Sequence, residues 1–153
     1  MPLPDWFPPA MAGSIIVPES VADPLMYYKN NTANSRDLVE DAVKHGVKHF
    51  IFSSTAAVYG NVGGEPVLES AQLFPESPYG RSKLMTELML ADAAAAHDLR
   101  YTALRYFNVS GADPQKRTGQ STKGATHLIK VASETALGKR ASMQLFGTDY
   151  PTP

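Results

Sequence analysis

The stretch His49-Phe50-Ile51-Phe52-Ser53-Ser54-Thr55, with the two segments that follow it, decides the fold class. Its apolar run, residues 50–52, is typical of a buried strand. Ser77-Pro78 then predicts a helix that runs to about His97, because serine caps a helix and proline suits its first position. Residues 100–106 predict a second strand. Two strands joined by a helix are expected to be parallel, so this region predicts an α/β fold.

The flanking segments continue the same pattern of strands and helices. Asp23-Pro24 predicts another helix, to Lys44, and residues 125–137 predict a third. Residues 12–17 and 143–146 are short apolar stretches that we expect to be strands. Apolar residues recur at helical spacing, as Leu38, Val39, Ala42 and Val43 in one helix and Leu84, Leu88, Ala91 and Ala95 in another. We therefore predict a parallel sheet flanked by helices, of the doubly wound kind.

The composition excludes several classes of function. The 153 residues are 43% hydrophobic and 19% charged, which is ordinary for a globular domain. The net charge is −1 and the charges are interspersed, so the sequence predicts no nucleic-acid or membrane partner. The absence of cysteine excludes disulfides and thiolate metal sites and fits a reducing compartment. His45 and His49 have i, i+4 spacing, but Gly46 interrupts the helix between them, so we predict no metal site.

Tyr79 and Lys83 are the strongest candidates for chemistry. At i, i+4 spacing on the predicted helix, their side chains share one face. A free phenol has a pKa of about 10 and is a poor base near neutral pH, but a neighbouring ammonium would lower the pKa of Tyr79. Thr55, at the end of the first strand, adds a hydroxyl for a proton relay. The three residues predict redox chemistry on an alcohol, although a Tyr/Lys pair taken alone is more often a solvated surface pair.

Five blocks of sequence extend this motif, in order and at suitable spacing. They are Ala12-Gly13 with Tyr27-Tyr28-Lys29-Asn30-Asn31, then residues 52–60, 77–84, 104–112 and 145–152. With these blocks the chain resembles the extended short-chain dehydrogenase/reductases, and within them the UDP-sugar 4-epimerases, over residues 11–153. The resemblance implies NAD-dependent epimerisation at C4 of a UDP-sugar, as in the interconversion of UDP-glucose and UDP-galactose, through a transient 4-keto intermediate.

The resemblance also implies roles for the residues that match the family's motifs. Tyr79 would take the proton from the sugar 4-hydroxyl, Lys83 would lower its pKa and bind the nicotinamide ribose, and Thr55 would hydrogen-bond the reacting oxygen. The implied NAD-binding residues are Ala12, Gly13, Asn30, Ser53, Thr55, Tyr79, Lys83, Tyr106 and Phe107. The implied substrate-binding residues are Thr55, Tyr79, Asn108, His127, Leu128, Gln144 and Phe146.

The organisation and partners follow in the same way. We expect an extended proline-rich arm at residues 1–10, a partial NAD-binding domain at 11–112 and the start of a substrate-binding region at 113–153. The resemblance implies a cytoplasmic protein that binds a UDP-sugar. It also implies a homodimer formed through the helices at about 24–44 and 79–97.

The sequence departs from the family at the phosphate-binding turn. Neither G-x-x-G-x-x-G nor G-x-G-x-x-G occurs in the chain, although a glycine-rich turn before a helix is what binds the pyrophosphate of a dinucleotide. The resemblance therefore implies a partial Rossmann-like parallel sheet flanked by helices, without the family's first strands, and a chain that lacks most of the substrate domain. We also expect the isolated chain to bind NAD poorly or not at all, which a calorimetric titration with NAD would test.

Two alternatives to the epimerase stay open. A related nucleotide-sugar dehydratase or reductase would use the same Tyr79–Lys83 pair. A dehydratase typically needs Asp-Glu beside the strand-end threonine, whereas Thr55 is followed by Ala56-Ala57. A non-catalytic remnant, or a fragment that depends on a partner chain, would also account for the missing glycine-rich turn.

Overall fold

Two compact units make up the described part of the chain. The computed structural model describes residues 13–63, 66–121, 124, 126–145 and 147–149. The units divide between Phe107 and Asn108. The boundary expected from the sequence, between residues 112 and 113, falls inside the second unit. The expected arm at residues 1–10 lies outside the described residues.

A pair of parallel strands forms the centre of the first unit. Strand β1 (His49–Ser53) pairs with β2 (Arg100–Leu104), in a register that places His49 opposite Arg100 and Ser53 opposite Leu104. The long helix α4 (Pro78–Ala96) connects the two strands. The predicted β-α-β unit is confirmed, and the sheet is the partial, parallel one expected from the sequence.

The helix predicted over residues 24–44 is continuous, but its winding changes in the middle. It begins as α2 (Pro24–Tyr27), passes through a π-helical segment (Tyr28–Ala33) and continues as α3 (Asn34–Lys44). Asp23 caps its start by accepting a hydrogen bond from the Met26 amide at 3.1 Å. Because π-helical turns are rare and often lie at functional sites, this segment is a place to look for ligand contacts.

The core of the first unit lies between β1 and the helices. Its buried members from α3, β1 and α4 are Val39, Ala42, Phe50, Phe52 and Leu90. The remaining residues of the predicted stripe on α3, Leu38 and Val43, pack against this cluster. Each of the buried Val, Phe and Leu side chains contributes about 1.5–3 kcal/mol, so the cluster holds α3 and α4 against the sheet.

Helix α4 buries a polar face in place of its apolar one. Its buried residues are Gly80, Ser82, Lys83, Thr86, Glu87 and Leu90. Of the residues that recur at helical spacing, Leu88 is 57% exposed, Ala91 and Ala95 are also exposed, and Leu84 is half-buried. The spacing therefore predicted the helix correctly but did not identify its buried face.

The strand predicted at residues 12–17 is not found in its described part. Residues 13–16 lead without regular structure into α1 (Val17–Ala22). Side chains make the hydrogen bonds to the backbone of residues 13–16 that a neighbouring strand would otherwise make. The Ser14 amide donates to Asn31 Oδ1 at 2.8 Å, and the Ile16 amide donates to Tyr27 Oη at 2.8 Å.

The second unit contains one helix among its described residues, α5 (Leu128–Ala136), within the span predicted at 125–137. The strand predicted at residues 143–146 is not found over 143–145. A strand needs a partner backbone, and the described pairing in this unit is an isolated bridge between Ala112 and Gly119. No helix in the described part of the chain is long and apolar enough to cross a membrane.

Candidate active site

The end of β1 and the start of α4 bring the predicted catalytic residues to one place. β1 ends at Ser53, and Thr55 follows almost directly. The Ser77 hydroxyl caps α4 by accepting a backbone amide hydrogen bond at 3.1 Å, as the sequence predicted. The cap fixes where the helix begins, so Tyr79 lies in the first turn of α4 and Lys83 follows one turn later.

Gly80 allows α4 to approach the segment that follows β1. A Cβ at this position would lie 2.9 Å from the Ala57 carbonyl oxygen and 2.9 Å from Pro75 Cβ. Both distances are shorter than a real Cβ contact, so any side chain here would push the helix away. The lack of a side chain at Gly80 therefore keeps its neighbour Tyr79 close to Thr55.

Lys83 is a buried ammonium with unused donors. The residue is 4% exposed, and its Nζ donates to the Ser53 carbonyl at 2.9 Å and lies 5.0 Å from the centre of the Phe52 ring. Burial lowers the pKa of Lys83 to about 8. An ammonium has three N–H donors. Among the described residues only Ser53 accepts one, so the others can bind a ligand that carries hydroxyl groups.

The structure overturns the expected pKa of Tyr79. Burial raises the pKa of Tyr79 above its usual value, a hydrogen bond with Thr55 lowers it in part, and the neighbouring Tyr106 raises it again. The predicted lowering by Lys83 is wrong, because desolvation of the phenol dominates and Lys83 is not among the groups that shift the pKa of Tyr79. The Thr55–Tyr79 contact itself is the one that the proton relay requires.

The low pKa of Lys83 predicts how stability depends on pH. The pKa of a lysine is ordinarily 10.5 and that of Lys83 in the folded chain is about 8, so between these pH values the unfolded chain binds more protons than the folded chain. The free energy of unfolding should therefore rise with pH, by about 2 kcal/mol between about pH 8 and pH 10. At higher pH the raised pKa values of Tyr79 and Tyr27 act in the opposite sense, because the unfolded tyrosines lose their protons first.

Urea denaturation of the wild-type chain and a Lys83→Met variant, at steps across this window, measures the effect. The difference in unfolding free energy between the two should shift in favour of the wild type as the pH rises. Other titrating groups cancel in the difference because both chains carry them. A difference that stays constant with pH would contradict a desolvated Lys83.

A second cluster joins residues 13–16 to the π-helical segment. The Asn31 side chain bonds both polar groups of the Ser14 backbone, accepting from its N–H at 2.8 Å and donating to its C=O at 2.9 Å. Asn30 donates to Ser14 Oγ at 2.9 Å. Gly13 has φ 153°, and a Cβ there would lie 2.8 Å from Asn31 Oδ1 and 3.8 Å from Lys83 Nζ. Gly13 therefore lies beside the Lys83 ammonium, and Asn30 joins the same cluster through Ser14.

Sequence reasoning missed the part that Asn31 plays. It is 2% exposed and also donates to Ser82 Oγ at 3.1 Å, which ties the π-helical segment to α4. Two adjacent asparagines in one helix gave no means of deciding which one is buried. The π-helical winding, which the sequence did not reveal, determines on which side of the helix each asparagine lies.

The remaining predicted NAD-binding residues lie in different surroundings. The hydroxyls of Ser53 and Tyr106 share a short hydrogen bond next to Lys83 and Tyr79. Phe107 is 84% exposed, at the end of the first unit. Ala12 lies outside the described residues.

A largely buried ion pair, between Glu87 and Arg105, was also missed. The carboxylate of Glu87 binds the guanidinium of Arg105, with Oε2 at 2.7 Å from Nη2 and 3.0 Å from Nε. The Ser54 hydroxyl makes a short hydrogen bond to Glu87 Oε1, and Arg105 Nη1 donates to Tyr59 Oη at 3.0 Å. The Glu87 carboxylate raises the pKa of Arg105. Through Ser54, this network reaches the residue that directly precedes Thr55 in the sequence.

The predicted substrate residues beyond the catalytic group lie in the second unit. Asn108 and Gln144 are exposed, as is Leu128, at the first position of α5. The Nδ1 atom of His127 is buried without a hydrogen-bond partner among the described residues. Phe146 lies outside the described residues. Across the described part of the chain, no group of three or more His, Asp or Glu side chains could hold a metal ion.

The comparison with protein families agrees with this geometry. The model described as the NAD dependent epimerase/dehydratase family matches residues 9–151. The chain belongs to this family. Membership confirms the resemblance drawn from the motifs.

Relatives within the family are UDP-glucose 4-epimerases. The enzyme of Azospirillum brasilense is 60% identical over 142 residues, which are 93% of this chain and 41% of the relative. That of Lacticaseibacillus casei is 43% identical over 137 residues, 90% of this chain and 41% of the relative. The chain therefore spans about two fifths of the length of these relatives.

Solved structures of the family show the same fold. UDP-glucose 4-epimerase from Brucella ovis, in complex with NAD, matches with a TM-score of 0.86 at 43% identity, over 95% of this chain and 45% of that one. The enzyme from Bifidobacterium longum, in complex with NAD+ and UDP, matches with a TM-score of 0.85 at 38% identity, over 97% of this chain and 45% of that one. The partial Rossmann-like fold is confirmed.

Proposed function

We propose that this chain carries the catalytic group of an NAD-dependent 4-epimerase that acts on a UDP-sugar. The observation that carries the proposal is the contact of Thr55 with Tyr79 beside a buried Lys83 whose ammonium has free donors. The similarity to UDP-glucose 4-epimerases supports UDP-glucose and UDP-galactose as the substrate pair. Activity of the whole enzyme is part of the proposal, because the chain spans less than half of its relatives.

Tyr79, Thr55 and Lys83 each have a separate role in the proposed reaction. In its deprotonated form, Tyr79 accepts the proton of the sugar 4-hydroxyl at Oη, and Thr55 hydrogen-bonds the sugar oxygen and fixes its position. The hydrogen on C4 would leave as hydride to bound NAD and return to the opposite face of the 4-keto sugar, and Tyr79 then gives its proton back to the oxygen. Because the hydrogen returns to the opposite face of C4, the product is the C4 epimer. Lys83 orients the reacting pair through its free donors.

NAD supplies the hydride acceptor when it is bound, and the residues present fit its ribose. Lys83 presents ammonium donors beside Gly13, where the backbone approaches closely because no Cβ intervenes. Asn30, Ser53 and Tyr106 add hydroxyl and amide groups around the same position. Sugar hydroxyls are ligands that such a mixed set of donors and acceptors binds. Weak binding of NAD by the isolated chain stays a prediction of the missing glycine-rich turn.

A hybrid enzyme tests the proposal without requiring the isolated chain to bind NAD. The matched 142 residues of the Azospirillum brasilense enzyme are replaced by their counterparts from this chain. We expect the hybrid to convert UDP-galactose into UDP-glucose within about tenfold of the parental rate, since the catalytic group is complete. A hybrid that folds and binds NAD, yet does not convert the sugar, would contradict the proposal.

We infer, in addition, a homodimer formed through the helices at 24–44 and 79–97. Leu88 and Met85 are exposed on α4, and a groove of about 480 Å³ lies between α3 and α4, lined in part by Val39, Met89 and Ala93. Apolar side chains left on a helix surface favour association. Analytical ultracentrifugation that found only monomer at every concentration would contradict this.

The cysteine-free composition supports a cytoplasmic location.

A further inference from the structure

Three links join the end of β1 to successive turns of α4. They connect Lys83 Nζ to the Ser53 carbonyl, the Ser54 hydroxyl to the Glu87 carboxylate, and Thr55 to Tyr79. The outer two links contain the residues to which the proposed reaction gives roles. The middle link, from Ser54 to Glu87, has no part in that chemistry. Ser54 nevertheless lies between Ser53 and Thr55, and Glu87 lies one helical turn beyond Lys83.

The middle link is anchored on its helix side by Arg105. Glu87 is 5% exposed, and both of its oxygens are bound: Oε2 by two guanidinium nitrogens, and Oε1 by Arg105 Nε at 3.2 Å as well as by Ser54. A carboxylate bound at both oxygens cannot change its rotamer without breaking charge-assisted hydrogen bonds. Arg105 follows β2 directly, so the pair also connects α4 to the second strand.

A buried ion pair is a costly way to stabilise a protein, since apolar residues of similar size often do as well or better. The pair does provide a fixed acceptor for one particular hydroxyl. We propose that Glu87, oriented by Arg105, is a positioning residue that acts through Ser54. It fixes the end of β1, and so sets the Thr55 hydroxyl and the Ser53 carbonyl against α4. This inference rests on the proposed function, because it assigns a purpose to that alignment.

Replacement of Ser54 by alanine breaks this link alone. The Glu87–Arg105 pair stays intact, because Arg105 Nε still reaches Oε1 at 3.2 Å, so the chain should fold. The end of β1 then moves away from α4 and water reaches the Lys83 ammonium. We expect the pKa of Lys83, followed by ¹³C NMR of the lysine Cε in the full chain, to rise by about one unit. Comparison with the Lys83→Met spectrum assigns the signal.

A second variant and a control remove the remaining ambiguities. Glu87→Gln alone would leave the Arg105 charge unbalanced, and that charge would itself lower the pKa of Lys83. The double variant Glu87→Gln with Arg105→Met removes the pair without changing the net charge, and should raise the pKa at least as far as Ser54→Ala does. Val47→Ala opens a cavity in the core at the other end of β1. It lowers stability and should leave the Lys83 titration unchanged.

The outcomes separate positioning from general stability. A Lys83 titration in folded Ser54→Ala that matches the wild type would overturn the proposal, as would an equal shift in Val47→Ala. If the double variant does not fold, Ser54→Ala decides alone. The NMR titration needs neither NAD nor turnover. A hybrid that folds and binds NAD but is inactive would therefore end the proposed function, whereas an unchanged Lys83 titration would end only the positioning role of Glu87.

Discussion

Replacement of Tyr79 by phenylalanine should lower the rate of epimerisation by the hybrid enzyme about a thousandfold, because the acceptor of the sugar proton is lost. The ring stays, and with it the edge-to-face packing on Tyr27, whose ring centre lies 6.4 Å away. The variant should therefore fold and bind NAD like the parent hybrid. Loss of the hydroxyl alone is what the measurement reports.

The rate of formation of UDP-glucose from UDP-galactose, at saturating substrate, measures this effect. Tyr101→Phe is the matched control, because Tyr101 lies on β2 with 37% of its surface exposed and outside the proposed site. We expect that variant to keep the full rate. A Tyr79→Phe hybrid that kept more than about a tenth of the rate would remove Tyr79 from its assigned role.

Replacement of Arg105 by methionine should produce a large loss of stability in the isolated chain. The change leaves the Glu87 carboxylate buried, with the Ser54 hydroxyl as its remaining partner in the network described above. Removing one partner of a buried ion pair typically costs about 3–5 kcal/mol, since an uncompensated charge stays inside. Arg105 retains some solvent contact, with 23% of its side chain exposed, so we expect about 3 kcal/mol.

Arg36→Met is the matched control for this prediction. Arg36 also lies in an ion pair, at 2.5 Å from Glu40, but 59% of its side chain is exposed to solvent. Exposed pairs of this kind contribute about 0–1 kcal/mol, so this variant should remain close to the wild type. Urea denaturation gives both unfolding free energies. Losses of equal size in the two variants would show that the Glu87–Arg105 pair has no special place in the fold.

The sequence predicted those elements of the fold that local signals control. Ser77-Pro78 gave the start of α4, and Asp23-Pro24 gave the start of α2, because caps act within one helical turn. The run at residues 50–52 gave β1. The stretches at 12–17 and 143–146 failed as strands because an apolar run does not reveal whether a partner strand is present.

In the candidate site, too, the sequence predicted what local spacing controls and missed what the folded chain brings together. Tyr79 and Lys83 share a helix face, and their spacing alone brings them together. The pair of Glu87 and Arg105 joins a helix to the residue that follows the next strand, so only the folded chain reveals it. The raised pKa of Tyr79 was missed for the same reason, since desolvation depends on what surrounds the ring and not on its neighbours in sequence.

The fate of the C4 hydrogen tests the central claim most directly. The hybrid enzyme is given UDP-galactose that carries deuterium at C4, in ordinary water, and the UDP-glucose formed is analysed by mass spectrometry and NMR. If Tyr79 and Thr55 handle only the hydroxyl proton while the C4 hydrogen leaves and returns as hydride, the product keeps its deuterium at C4. Product that has exchanged this deuterium for solvent hydrogen would contradict the account.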